Sequence, residues 1–173
     1  SFAYKITKNL KINDKIIIKA ANKFRGLPHR QETIFSNKKL LCVNDSKATS
    51  FDASLQSLSN YDRIYWIVGG LPKTQDRFDL KKVKDKIVKA YIVGKNISFF
   101  QKQIKNDIVY TISKNIKKAI DDIYKDLKSS QNIKNTILLS PAAASFDQFD
   151  NFEKRGLHFR NLVTKKFKKR LNV

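Results

Sequence analysis

Two apolar runs that stop abruptly at glycine constrain this chain more than any other feature: Arg63-Ile64-Tyr65-Trp66-Ile67-Val68 before Gly69-Gly70, and Ala90-Tyr91-Ile92-Val93 before Gly94. A run that is apolar at consecutive positions suits a strand covered on both faces, the situation of a parallel sheet. Asp107-Ile108-Val109-Tyr110-Thr111 reads as a weaker strand and Thr136-Ile137-Leu138-Leu139 as the last one. Gln31 to Ser36 and Leu40 to Val43, separated by the polar Asn37-Lys38-Lys39, predict an antiparallel hairpin. Helical patterns fall between and after the strands: about Phe51 to Leu58, then Ile116, Ile120, Ile123 and Leu127 on one face, then a closing helix over about Phe146 to Leu171. Phe149, Phe152, Phe159, Leu162 and Val163 mark the apolar side of that last helix. Strands alternating with helices predict an α/β fold, a three-layer Rossmann-like sandwich on a mainly parallel sheet of about six strands with one antiparallel edge strand.

Positions 1–27 differ in character. Ile6, Leu10 and Ile16 to Ile18 punctuate a charged stretch too poor in apolar residues to form a core, and Gly26 and Pro28 end whatever helix precedes them. The expected division is therefore a remnant or linker over 1–27 and a domain over 28–173. The single Cys42 lies in a strand-like run and reads as a buried thiol, which fits a reducing, cytoplasmic setting. No apolar run approaches the roughly 20 residues needed to cross a bilayer, and Ser1 to Lys5 carry no signal-peptide core. A soluble protein is expected.

The formal charge of +21 points first to nucleic acid. The positive residues, however, are mostly Lys scattered through every segment instead of Arg grouped with aromatics, and that distribution reads as a solvated surface. A non-catalytic basic module that binds RNA or another polyanion remains the alternative reading. With His29, His158 and one Cys, a zinc site or a Cys-His nucleophile is hard to build, so no metal ligands are assigned.

Ligands of an open parallel sheet collect beyond the carboxyl ends of its strands, and three segments fall at such places. Asn44-Asp45-Ser46-Lys47-Ala48-Thr49-Ser50 offers a carboxylate, an ammonium and hydroxyls beside free helix-start amides. The same residues also read as a turn at Asp45 and a helix cap at Thr49 or Ser50. Gly69-Gly70-Leu71-Pro72-Lys73 is either a ligand loop or a plain glycine turn with an exposed lysine. It is no P-loop, a pattern absent from the whole sequence. In Ser140-Pro141 through Gly156, the pair Ser145 and Gln148 predicts a capping box with Ser145 as N-cap of the closing helix. That geometry would also present a hydroxyl and unpaired amides to a carboxylate. Arg30, which keeps its charge, is a better phosphate contact than its neighbour His29.

Taken together, Gly26-Leu27-Pro28-His29-Arg30, Asn44 to Thr49, Gly69-Gly70 with Lys73, and Ser140 to Gly156 resemble the Mur ligases. The resemblance is to the C-terminal domain of the branch that adds D-glutamate, and it covers nearly the whole chain from Gly26 onward. Two departures stand out: Leu71 and Pro72 replace polar or glycine residues, and Phe146 replaces a common leucine. The resemblance implies an ADP-forming ligase of peptidoglycan precursor synthesis. In it, ATP phosphorylates the carboxylate of UDP-N-acetylmuramoyl-L-alanine and the amine of D-glutamate displaces phosphate. It also implies that a preceding central domain, absent here, supplies the P-loop and the Mg2+ ligands, that 1–27 would be the end of that domain, and that the fragment alone is inactive. By position, Thr49 and Lys73 would hold the α-carboxylate of D-glutamate. Ser145, Phe146 and the backbone at Phe152 would hold its side-chain carboxylate. Arg30 and Asp45 would reach the nucleotide, and Lys47 would be catalytic, beside the reacting phosphate and amine. The implied protein is a cytoplasmic monomer whose partners are its substrates and its own other domains, with neither nucleic acid nor membrane among them.

Overall fold

Each apolar run forms a strand and the amphipathic stretches form helices in the computed structural model, which describes residues 2–24, 26–129 and 133–167. In chain order the elements are α1 (Phe2–Asn9), α2 (Asp14–Lys23), β1 (Glu32–Ser36), β2 (Leu40–Asn44), α3 (Phe51–Asn60), β3 (Ile64–Gly69), β4 (Ile87–Val93), α4 (Ile97–Ile104), β5 (Tyr110–Lys114), α5 (Ile116–Lys128), β6 (Asn135–Leu139) and α6 (Phe152–Phe167). The six strands form one sheet in the order β1-β2-β6-β3-β4-β5. Only the β1–β2 pair is antiparallel, and the other four pairings are parallel. The expected α/β sandwich with one antiparallel edge strand is the fold that forms.

Because side chains alternate across a strand, the consecutive apolar residues of the inner strands feed two cores. Ile64, Trp66 and Val68 of β3 pack with Ala90, Ile92 and Leu138 under α3 and α4. Tyr65 and Ile67 pack with Tyr91, Val93, Ile137 and Leu139 under α5 and α6. Trp66, fully buried, satisfies its indole N–H on the Ser140 carbonyl at 2.7 Å.

Register then sets the carboxyl edge of the sheet. Asn44 pairs with Leu139, so β2 and β6 finish level; Ile67 also pairs with Leu139 and Gly69 with Val93, so β3 and β4 finish level with each other two residues further on. From that edge β2 leads to α3 on one face, while its neighbour β6 leads to α6 on the other. Adjacent strands whose connections leave in opposite directions open a crevice, where ligands of such sheets bind.

Two expectations are corrected. The strand expected over 107–111 lies at Tyr110–Lys114 because the amides of Asp107 and Ile108 both donate to the Ile104 carbonyl and finish α4. The closing helix, expected from about Phe146, starts at Phe152, and the part expected over 168–171 lies outside the described residues. Ser145 is consequently not its N-cap. The Ser145 carbonyl accepts from the amides of Gln148 and Phe149 in a separate turn, while Asn151 Oδ1 accepts from the Lys154 amide at 2.8 Å and does the capping. Phe149, counted on the helix face, packs on the α5–α6 core from that turn.

Helices α1 and α2 bury none of their residues. Stability should therefore divide sharply along the chain. Phe159→Ala, which empties a fully buried site between α6 and the sheet, should lower the unfolding free energy by about 3–5 kcal/mol. Ile16→Ala on exposed α2 should change it by less than about 0.5 kcal/mol, both read from urea titrations followed by Trp66 fluorescence.

Candidate functional site

The loop from Asp45 to Ser50 leaves β2 beside the Arg30–Gln31 turn, and the two enclose an open cleft of about 330 Å³. Arg30, Asp45 and Lys47 line it together with Gln31, Ala48 and, from α3, Ala53 and Gln56. Three residues singled out in the sequence thus meet in one place. Arg30 is exposed and Lys47 half-buried where they line the cleft at the start of α3. Ser50 is the residue that caps α3, its hydroxyl accepting from the Ala53 amide, which leaves Thr49 one step outside the helix and half-buried.

Asp45 is almost wholly buried and spends its carboxylate on the protein. Oδ1 accepts from the Gln31 amide at 3.2 Å. Oδ2 accepts from the hydroxyls of Ser57 and Ser140. Burial pushes this carboxyl above the ordinary carboxylate range, and the Ser57, Gln31 and Ser140 hydrogen bonds and the charge of Arg30 draw it back only in part.

Lys47 reaches the opposite way. Its ammonium rests over the Phe152 ring, 3.8 Å from the centroid, joining the β2–α3 loop to the first residue of α6. Its amide donates to the His29 carbonyl at 3.0 Å. His29 itself, passed over in the sequence in favour of Arg30, is a half-buried structural node. It has φ 61°, its ring lies edge-on to Phe152, and its Nδ1 is 2.8 Å from Asn44 Nδ2. A Cβ at Gly156 would come within 2.2 Å of that Nδ1, so only glycine lets α6 approach.

The other two segments are clasped to each other. Leu71 and Ala144 exchange both amide–carbonyl bonds, and the Gly69 amide donates to the Pro141 carbonyl. Gly70, at φ 141°, passes so close that a Cβ there would lie 2.3 Å from the Ala144 carbonyl oxygen. Ser145 is buried just beyond this clasp, Phe146 is 69% exposed, and Lys73 is exposed on the far side of Pro72.

Beneath all three segments lies Arg155, to which the sequence motifs assign no role. Only 2% exposed, it donates from Nε to Ser46 Oγ at 3.0 Å, and from Nη2 to the carbonyls of Ser46 and Ala143 at 2.8 and 2.9 Å. Its Nη1 has no partner among the described residues. Burial pulls its pKa down to about 10, against the favourable field of Asp147, so it stays charged at neutral pH. Helical spacing held the signal: Phe152, Arg155, Phe159 and Val163 fall on one stripe, which places Arg155 inside.

Among the described residues no three His, Cys, Asp or Glu side chains converge as a metal site would require, and no helix is long and apolar enough to cross a membrane. The donors at this edge are cations, hydroxyls and helix-start amides, a set suited to anions.

No protein-family model matches the chain. Similar curated proteins do exist. One from Rickettsia felis is 38% identical over 160 residues, 92% of this chain and 36% of the relative. One from Rhizobium meliloti is 41% identical over 145 residues, 84% and 31% respectively. Both are named UDP-N-acetylmuramoylalanine--D-glutamate ligase, as is a Rickettsia conorii protein 38% identical over 94% of this chain and 32% of its own length. The chain spans about a third of the length of the relatives it matches.

The buried carboxylate supplies a test of how this edge is held. Its raised pKa means that the stability tied to Asp45 is complete below the unfolded-state value and is lost as pH rises through the folded-state value. Asp45→Asn should therefore raise the thermal midpoint at neutral pH, by a margin that grows with pH across that window and is level above it. Calorimetric scans across the acid-to-neutral range check this, and a lower midpoint for the variant at neutral pH would show that the three hydrogen bonds outweigh the buried charge.

Proposed function

Since the chain belongs to the Mur ligase family, in its D-glutamate ligase branch, we propose that it is the C-terminal, D-glutamate-binding domain of such an enzyme, with a boundary near residue 28. The observation that carries the proposal is the gathering, at one edge of the sheet, of all four segments on which the resemblance rests. Lys47 lies on Phe152, Leu71 pairs with Ala144, and Arg30, Asp45 and Lys47 share a cleft.

In the proposed reaction the γ-phosphoryl group of ATP passes to the carboxylate of UDP-N-acetylmuramoyl-L-alanine. The D-glutamate amine, as the free base, then forms an amide bond at that carbon and gives up one proton, while phosphate leaves with the electron pair of the broken C–O bond. ATP supplies the activated leaving group. The residues of this chain orient and neutralise. Lys73 and Thr49 hold the α-carboxylate. Ser145 and the amide of Phe152, at the start of α6 where N–H groups have no intrahelical acceptor, hold the side-chain carboxylate beside Phe146. Two carboxylates held by one cation with hydroxyl and amide donors at separate points is the match between site and ligand.

Arg30 faces the nucleotide across the cleft, Asp45 fixes the Arg30–Gln31 turn from below through the Gln31 amide, and Lys47 neutralises charge at the reacting phosphate. The donor set fits phosphate oxygens and does not fit a divalent metal. We accordingly assign the Mg2+ ligands and the P-loop to the rest of the enzyme, and expect no turnover from these residues alone. The reaction belongs to the cytoplasmic, soluble stage of peptidoglycan precursor synthesis, in a monomer whose domains close over the substrates.

An NMR titration of the labelled chain tests the proposal. D-glutamate should shift resonances near Thr49, Lys73 and Ser145 while L-glutamate leaves them in place. Lys73→Ala should weaken the D-isomer about tenfold or more, since a hydrogen bond to a charged group contributes about 1.5–3 kcal/mol. Equal responses to both isomers would overturn the assignment.

A further inference from the structure

The buried guanidinium of Arg155 is more charge than its structural task requires. Three hydrogen bonds tie Ser46 to Ala143 through Nε and Nη2, a link that neutral donors can also make. No carboxylate forms an ion pair with it among the described residues: Asp147 acts on it only through its field, while its Oδ2 accepts from the Lys95 amide at 2.9 Å. Burying a charge without a partner costs several kcal/mol, and Nη1 remains without any acceptor. Removing a positive charge from water in this way leaves its field unscreened where an anion is to be held.

The position of that charge matters as much as its sign. Ala143, whose carbonyl it binds, stands two residues before Ser145. A Cβ on Gly70 would lie 3.2 Å from Nη1, and Gly70 begins the loop that ends in Lys73. Ser46 stands three residues before Thr49. Arg155 thus lies below the residues assigned to both carboxylates of the ligand, closest along the chain to the one assigned to the side-chain carboxylate.

We propose that Arg155 is a specificity-determining residue that acts through its charge, favouring an amino acid with an anionic side chain over its neutral amide while touching neither. The proposal rests on the D-glutamate reading above. Both roles of Arg155 follow from one group: the hydrogen bonds set the loops in place, and the uncompensated charge selects the ligand's second carboxylate.

The test compares D-glutamate with D-glutamine, which differ at the side-chain carboxylate alone, by NMR titration of the 173-residue chain and of two variants. Arg155→Lys keeps the charge and loses the three-point tie. It should weaken both ligands and keep their ratio. Arg155→Gln keeps a donor and loses the charge. It should cut the preference for D-glutamate by roughly tenfold, the effect of one unit charge on another across a partly buried gap of about 10 Å. If Arg155→Gln weakens both ligands in the same proportion, or if Arg155→Lys abolishes the preference, Arg155 is only a tie and the inference falls. Should Arg155→Gln not fold, Arg155→Met, which also removes the charge and keeps most of the side chain's bulk, is read in its place. Failure of the underlying reading looks different: the unsubstituted chain would respond to D- and L-glutamate alike, or to neither.

Discussion

A single guanidinium buried under the carboxyl edge of the sheet makes one body of what would otherwise be three loops. Arg155 reaches from the first turn of α6 to Ser46 in the loop after β2 and to Ala143 in the loop after β6. The second of these is paired through Leu71 and Ala144 with the loop after β3. Hydrogen bonds to a charged donor contribute about 1.5–3 kcal/mol each, and the desolvation of the charge opposes them by several kcal/mol. The result is a site whose geometry is defined without being especially stable. Asp45 has the same character. Its carboxylate is buried for the sake of Gln31, Ser57 and Ser140, and burial raises its pKa.

The sheet beneath is the rigid part. Two pairs of strands end within two residues of each other, their side chains fill two separate cores, and the chain leaves neighbouring strands toward opposite faces. Loops on such a base can carry strained and charged groups because the base does not depend on them. Gly70 and Gly156 then bring loop and helix closer than any side chain would allow, one against the Ala144 carbonyl and the other against the His29 ring.

Much of this was legible in the sequence, and the reasons differ by element. β3 was plain because all six of its residues are buried and therefore apolar in an unbroken run. α5 was plain because one face alone is buried, at Ile116, Ala119, Ile120 and Ile123. The closing helix was misplaced at its start because Ser145 and Gln148 carry a capping pattern that the chain uses for a turn, while Asn151, a weaker signal, does the capping. β5 was shifted because Ile108 is buried as a strand residue would be, yet its amide finishes α4. The candidate residues Arg30, Asp45 and Lys47 proved to share a cleft. Arg155 escaped attention because charge argues for the surface, and a buried cation is visible only when helical spacing is weighed above composition.

The strand order has a consequence for how the protein is made. β6 lies in the middle of the sheet but is the last strand synthesised. Until it emerges, the β1–β2 hairpin and the β3-β4-β5 unit have no strand to join them, and each presents an unpaired inner edge. Ser46 and Arg155, which complete the site, stand 109 positions apart. Contacts at such separations are slow to form, and the open slot between the two units is a place where a growing chain can pair wrongly. The sheet is completed from its centre, and the loops of the candidate site are set in place only when α6 docks.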